Sequence, residues 1–246
     1  MQERPLGYRT TEIFRAFAEN KLNRPIPEKV LESWLTLTRV WRLADDLIDN
    51  EADETRRLEI YGKGVNYLAG ETRELGIDDS LLTAEMAVLK THLNGLSKNQ
   101  RSLFLRNLKT ILRVTEKIKK TEDPITLARL SMLEGQLTTY LYMSFLPEEF
   151  RQAGGYEGFL RYFKRVSRTV NAYDTLVDLR TDYEQGNTRV KPTPVNTLVF
   201  TSYSLPNALS VIKNTSPRLI GYFLHGAVSV AIDRNGKSNI HFSAQR

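Results

Sequence analysis

The chain has no cysteine among its 246 residues, and only three histidines, two tryptophans and nine prolines. Without cysteine there is no disulfide framework, no thiolate-bound zinc or iron–sulfur centre and no cysteine nucleophile. His92, His225 and His241 stand alone in the sequence, with no partner at a metal-ligand spacing, so no role is assigned to them. Long apolar runs are missing as well. The longest, 219–232 (LIGYFLHGAVSVAI), contains two glycines and a histidine and falls short of the ~20 residues that cross a bilayer. The opening MQERPLGYRTTEIF offers no apolar core for a signal peptide. The expectation is a cytoplasmic protein whose membrane contact is at most peripheral. Basic and aromatic residues are not interleaved on one stretch, so nucleic acid is not an expected partner.

Helical periodicity dominates what is present. From Glu28 the apolar residues Val30, Trp34, Leu37, Trp41, Ala44 and Ile48 recur at steps of four and three. That spacing traces one helix face, with Pro27 just inside the start, where a missing N–H costs least. Similar patterns predict helices over 81–93, 100–118, 124–145 and 156–183, with weaker ones over 11–20, 207–213 and 217–231. Breaks fall at Asn50-Glu-Ala-Asp, Gly76-Ile-Asp-Asp, Thr121-Glu-Asp-Pro, Pro147 and Gly154-Gly155. Two weak strand candidates, 196–204 and 238–243, show a period of two. No repeat or linker divides the chain, so the pattern predicts one all-α domain over residues 1–246, the role of its last forty or so residues being open. A proline-broken polar loop at 186–194 follows the longest helix, a suitable place for binding residues. The balance of 35 Lys+Arg against 29 Asp+Glu, a net +6, suggests an anionic partner.

Two acidic clusters carry the chemistry. In the first, Asp45 and Asp49 lie four apart on one helix face, with Asp46 beside them; in the second, Asp174, Asp178 and Asp182 repeat that spacing, with Asn171 one turn earlier. Aspartate is a poor interior helix residue, and like charges at this spacing repel. A hard divalent cation removes the repulsion, because Mg²⁺, or Mn²⁺ in its place, takes carboxylate oxygens and completes its shell with water and phosphate. An acidic helix patch is ordinarily just a solvated face. Both clusters, however, border apolar stripes (Trp41, Ala44 and Ile48; Val170, Tyr173 and Val177), so they are expected to look into a common interior cavity. Lys117-Ile-Lys-Lys120, by contrast, reads as a solvated helix end that complements the dipole.

Arg39-Val-Trp-Arg42-Leu-Ala-Asp45-Asp46-Leu-Ile-Asp49 is followed about 130 residues later by Asn171-Ala-Tyr-Asp174-Thr-Leu-Val-Asp178-Leu-Arg-Thr-Asp182-Tyr-Glu-Gln-Gly186. This pairing resembles the class I isoprenoid synthases, and within them it is most similar to squalene and phytoene synthases. The chain departs from that pattern at Asn171 and Asp174, where glutamine and asparagine are usual, and at Val177, where arginine is usual. The Gly-Arg-x-Tyr-x-Pro segment appears as Gly186-Asn-Thr-Arg-Val-Lys-Pro192.

The resemblance implies a single-domain helical bundle around a central cavity and ionisation of a prenyl diphosphate between the two clusters. Asp45, Asp49, Asp174 and Asp178 would be catalytic, and with Asp46 and Asp182 would hold Mg²⁺. Arg42, Lys164, Arg168, Asn171, Arg189 and Lys191 are the expected diphosphate partners. Leu133, Gly135, Gln136, Leu137, Tyr140, Phe163 and Tyr173 are the expected lining of a dry substrate pocket, with Gly135 either admitting substrate to the backbone or letting two helices pack closely. A terpene cyclase shares the i, i+4, i+8 spacing, and a prenyl diphosphate phosphatase needs the same first step. A non-catalytic helical protein that binds a prenyl lipid or a partner helix is the alternative of another class.

Overall fold

Helix caps written in the sequence set most of the element boundaries. In the computed structural model, which describes residues 8–215 and 217, the side chains of Asp53, Asp79, Asp123 and Thr193 each accept a backbone N–H from the turn that follows. Ser97 and Gln100 form a reciprocal capping box. The described helices are α1 (Tyr8–Leu22), α2 (Glu28–Asp49), α3 (Glu54–Ala69), α4 (Ser80–Asn94), α5 (Lys98–Lys120), α6 (Pro124–Met143), α7 (Glu148–Arg151), α8 (Tyr156–Glu184) and α9 (Pro194–Lys213). No strand occurs among the described residues, and the protein is all-α there.

Two stretches differ from expectation. The strand candidate 196–204 lies inside α9, which Thr193 caps, Pro194 begins and Pro206 does not break. Its alternation carries no sheet face: of the apolar residues it contains, Phe200 is buried while Leu198 is exposed. Helix α3 has no counterpart in the periodicity reading, because Gly62, Gly64 and its charged residues dilute the pattern. Its signal lay in the flanks, an Asp53 cap and a left-handed Gly70 (φ 84°) at the C-terminus, with Tyr61, Val65 and Leu68 buried between them. The helix expected beyond Pro217, the strand at 238–243, and His225 and His241 lie outside the described residues.

Helix α6 is the hub, packed against α5, α8 and α9, while α2 packs on α1 and α4, and α3 on α4 and α5. Trp34 of α2 is fully buried, and its indole N–H donates to the carbonyl of Tyr142 at 2.8 Å, tying α2 to the end of α6. Thr38 and the Tyr142 hydroxyl add a 2.7 Å hydrogen bond at the same place. Along α6 and α8 the contact depends on Gly135. A Cβ there would collide with the Ser167 carbonyl oxygen and come within 2.9 Å of the Asn171 Cβ. Of the two uses open to Gly135, the structure displays helix packing.

The apolar core is divided. A large cluster joins α1 through α8 around Trp34, Phe104 and Phe163, and a small one gathers Leu127, Ala128, Ala172, Leu179, Val190 and Phe200 near the far end of α6 and α8. What separates them is polar.

Candidate functional site

Between the two parts of the core, α2 and α8 stand on opposite sides of a cavity of about 190 Å³. That is room for several ordered waters or hydrated cations. Asp45 and Asp49 enter from α2, and Asp174, Asp178 and Asp182 from α8. Glu134 of α6 and Asn171 of α8 line it between them, with Thr115 and Lys119 of α5 and Asn187 and Thr188 of the following loop completing the wall. The four-residue spacing of each cluster aims its carboxylates to one side of its helix, so two amphipathic helices suffice to place five aspartates around one space.

Acidic groups outnumber basic ones. Six carboxyl side chains line the cavity and Lys119 is the one cationic side chain among its lining residues. The Lys119 ammonium donates to Asp49 Oδ1 at 3.0 Å and to Asn187 Oδ1 at 2.7 Å, fixing the end of α2 to the loop after α8. Glu134 accepts from the Thr115 hydroxyl at 2.5 Å and from Asn171 Nδ2 at 3.0 Å. Burial and the charges of Asp49 and Asp174 nevertheless hold its carboxyl above the usual range. The Asp45 side chain is exposed to the cavity yet closely surrounded by protein; desolvation by that packing first, then Glu134 and Asp49, raise it well above the ordinary carboxylate value, against the pull of Arg42. Burial together with Asp178, Asp49 and Asp174 pushes Asp182 up to about 7, with Lys119 opposing. Desolvation and the proximity of other acids both disfavour the charged form of these carboxyls.

Among the described lining residues the acidic and amide donors are all oxygens, which suits a hard divalent cation. Among the described residues, no three acidic or histidine side chains converge tightly enough to enclose an ion by themselves.

A second cavity adjoins the first and is apolar. Trp41, Asp45 and Thr115 belong to both walls. Beyond them the lining comes from α2, α3, α4 and α5, including Leu37, Leu68, Met86, Leu89, Phe104 and Leu108. The Tyr61 hydroxyl reaches this lining buried, without a hydrogen-bond partner among the described residues. Beside it, Arg57 makes a shielded pair with Glu116, Nε to Oε1 at 3.1 Å, and donates Nη1 to the carbonyls of Glu51 and Ala52 at 2.9 Å. This clamp fixes the turn that follows Asp49.

Of the residues expected at the site, Asp45, Asp49, Asp174, Asp178, Asp182 and Asn171 line the acidic cavity, whereas Asp46 and Arg42 are exposed on α2 outside its lining. Arg189 is 63% exposed and 4.0 Å from Glu122, and Lys191 is also exposed. Lys164 donates to the Tyr140 hydroxyl at 3.1 Å, and Arg168 to Gln136, so those four side chains satisfy one another along the α6–α8 seam. None of the seven expected pocket residues lines either cavity. Leu137 and Phe163 are core, Gly135 is at the helix contact, and Leu133 and Tyr173 are exposed, as is Val177. The expectation for Lys117-Ile-Lys-Lys120 is corrected at Lys119, which is buried in the site. Glu134 and Lys119 escaped the sequence reading. Glu134 left a signal, since it is the only acid in α6.

Compared with known protein families, with curated proteins and with solved structures, the chain matches none of them.

Proposed function

We propose that the protein is a Mg²⁺-dependent enzyme of the class I isoprenoid synthase type that ionises a prenyl diphosphate, as squalene and phytoene synthases do. One observation carries this reading: carboxylates from α2 and α8 surround a cavity that shares a wall with an apolar one. An amphiphile with a multiply charged head and a hydrocarbon tail has a place for each part. The acidic cavity by itself would repel a diphosphate; bound Mg²⁺ supplies the Lewis acidity that offsets its charge.

In this reading Asp45, Asp49, Asp174, Asp178 and Asp182 are the carboxylates that hold the metal, with Mn²⁺ an acceptable substitute. Lys119 keeps Asp49 in position and presents an ammonium to the diphosphate. The allylic C–O bond breaks heterolytically, its electron pair leaving with pyrophosphate, and electrostatic compensation of that leaving group lowers the barrier. The apolar pouch keeps water from the allylic cation, and the Trp41 ring at the junction offers a π face to positive charge.

The test is incubation with farnesyl and geranylgeranyl diphosphate and Mg²⁺. Diphosphate release is expected, falling by roughly 10²–10³-fold or more in Asp45→Ala and Asp178→Ala. No release, or release that both variants retain, contradicts the proposal. Product mass then separates a joined carbon skeleton from a cyclised or hydrolysed one.

A further inference from the structure

The net charge of +6 has a single source. Helix α5 holds eight of the 35 Lys and Arg residues and one of the 29 Asp and Glu residues, leaving 27 and 28 for the rest of the chain. The site described above is acidic, so this surplus lies elsewhere. Three of the eight have partners: Arg101 donates to the carbonyls of Leu68 and Ala69, Lys119 enters the cavity, and Lys120 pairs with Glu54. Lys98, Arg106, Lys109, Arg113 and Lys117 are exposed and make no ion pair among the described residues.

Those five positions fall within an arc of about 100° on the helix and extend over roughly 28 Å. Arg106, Lys109, Arg113 and Lys117, at three- and four-residue spacing, repel one another, which destabilises a helix by a few tenths of a kcal/mol per pair. Other exposed helix faces carry both signs, as with Glu59 and Lys63 on α3 or Arg180 and Glu184 on α8. The only acid of α5, Glu116, is turned inward to Arg57. The unrelieved repulsion, in a straight row on one face, calls for an extended anionic partner.

We propose that the outward face of α5 is a docking surface for a membrane bearing acidic phospholipids. Charge complementarity selects an anionic surface, and two further features favour lipid over nucleic acid. The α5 aromatic residue, Phe104, is fully buried in the core, leaving no ring on the stripe for a base to stack on. The groove beside the stripe also includes the partly exposed apolar residues Leu96 and Leu105, flanked by Lys98, Arg106 and Lys109. The opposite face of α5, with Phe104, Leu108 and Leu112, walls the apolar pouch, so the docked face lies one helix away from it. The inference rests on the charge distribution and not on the proposed reaction.

Co-sedimentation of the full chain with phosphatidylcholine vesicles, with and without phosphatidylserine, tests it in the absence of any prenyl diphosphate. Binding to the acidic vesicles and release by salt are expected. Replacing Arg106, Lys109, Arg113 and Lys117 with glutamine should weaken binding by roughly 10²–10³-fold, about fivefold for each cation removed. The Arg180→Gln control should bind as the parent does. All four replaced side chains are exposed, so the variant should keep the parent's melting temperature and helical circular dichroism. Equal binding to neutral and acidic vesicles, or undiminished binding by the folded quadruple variant, overturns the proposal. Tighter salt-sensitive binding to duplex DNA or RNA than to acidic vesicles overturns it in favour of nucleic acid.

Discussion

The acidic cavity and the apolar pouch share Trp41, Asp45 and Thr115, yet they solve opposite problems. The pouch is mostly apolar: apart from Asp45, Thr115 and the Tyr61 hydroxyl its walls are hydrocarbon, whose removal from water stabilises the fold. The cavity is polar: among its described lining residues six carboxyl groups accompany one ammonium. Burial first, and then neighbouring acids, raise the pKa values of Asp45, Glu134 and Asp182. One region holds the fold together, while the other is held in place by it.

The Arg57–Glu116 pair is the balanced neighbour against which the cavity is best judged. Arg57→Ala would leave Glu116 shielded and unpaired and free the carbonyls of Glu51 and Ala52. Because the pair lies near the surface, the expected loss is about 3 kcal/mol, the low end for breaking a buried ion pair. Denaturant unfolding checks this, and a loss under about 1 kcal/mol would remove the clamp from the account.

Neutralising a cavity acid should do the reverse. Burial and its aspartate neighbours push Asp182 up to about 7, so the folded chain keeps a proton there that the unfolded chain releases near pH 4. The folded state therefore binds more protons between those values, and stability of the metal-free protein falls as pH rises from about 4 to about 7, then levels off. Asp182→Asn should flatten this slope and, after allowance for screening in an open cavity, gain about 1–2 kcal/mol above pH 7. Saturating Mg²⁺ should flatten the parent's slope in the same way. Melting curves with chelator and with Mg²⁺ across that pH range measure both effects.

The smallest expected effect belongs to the pouch. Tyr61→Phe deletes a buried hydroxyl that has no partner among the described residues, so it should be neutral or stabilising by up to about 1 kcal/mol. A clear loss of thermal stability would mean that the hydroxyl is satisfied, by water or ligand, and that the pouch is less dry than its walls.

Much of this division was legible in the sequence where a single helix carries it. The period of α2 and α8 put Asp45 and Asp49, and Asp174, Asp178 and Asp182, on one face each, and all five line the cavity. Residues supplied by a third helix were not legible. Lys119 sits in a run of lysines whose other members are exposed, and only the packing of α5 shows which one turns inward. The pouch was misplaced for a related reason. The apolar stripes of α6 and α8 are consumed in packing against each other at Gly135, while the open apolar space lies beneath α3, whose two interior glycines obscured its pattern. In α9, a period-two run of residues was overridden by the Thr193 cap.

In the proposed function the head and tail of one ligand occupy these two regions separately. Thermal shift with three probes tests it most directly: Mg²⁺ with inorganic pyrophosphate, farnesol, and farnesyl diphosphate with Mg²⁺. Stabilisation by each is expected, largest for the third, with Asp178→Asn abolishing the pyrophosphate shift and leaving the farnesol shift intact. No shift with Mg²⁺ and pyrophosphate in the parent protein, or an undiminished one in Asp178→Asn, would contradict it.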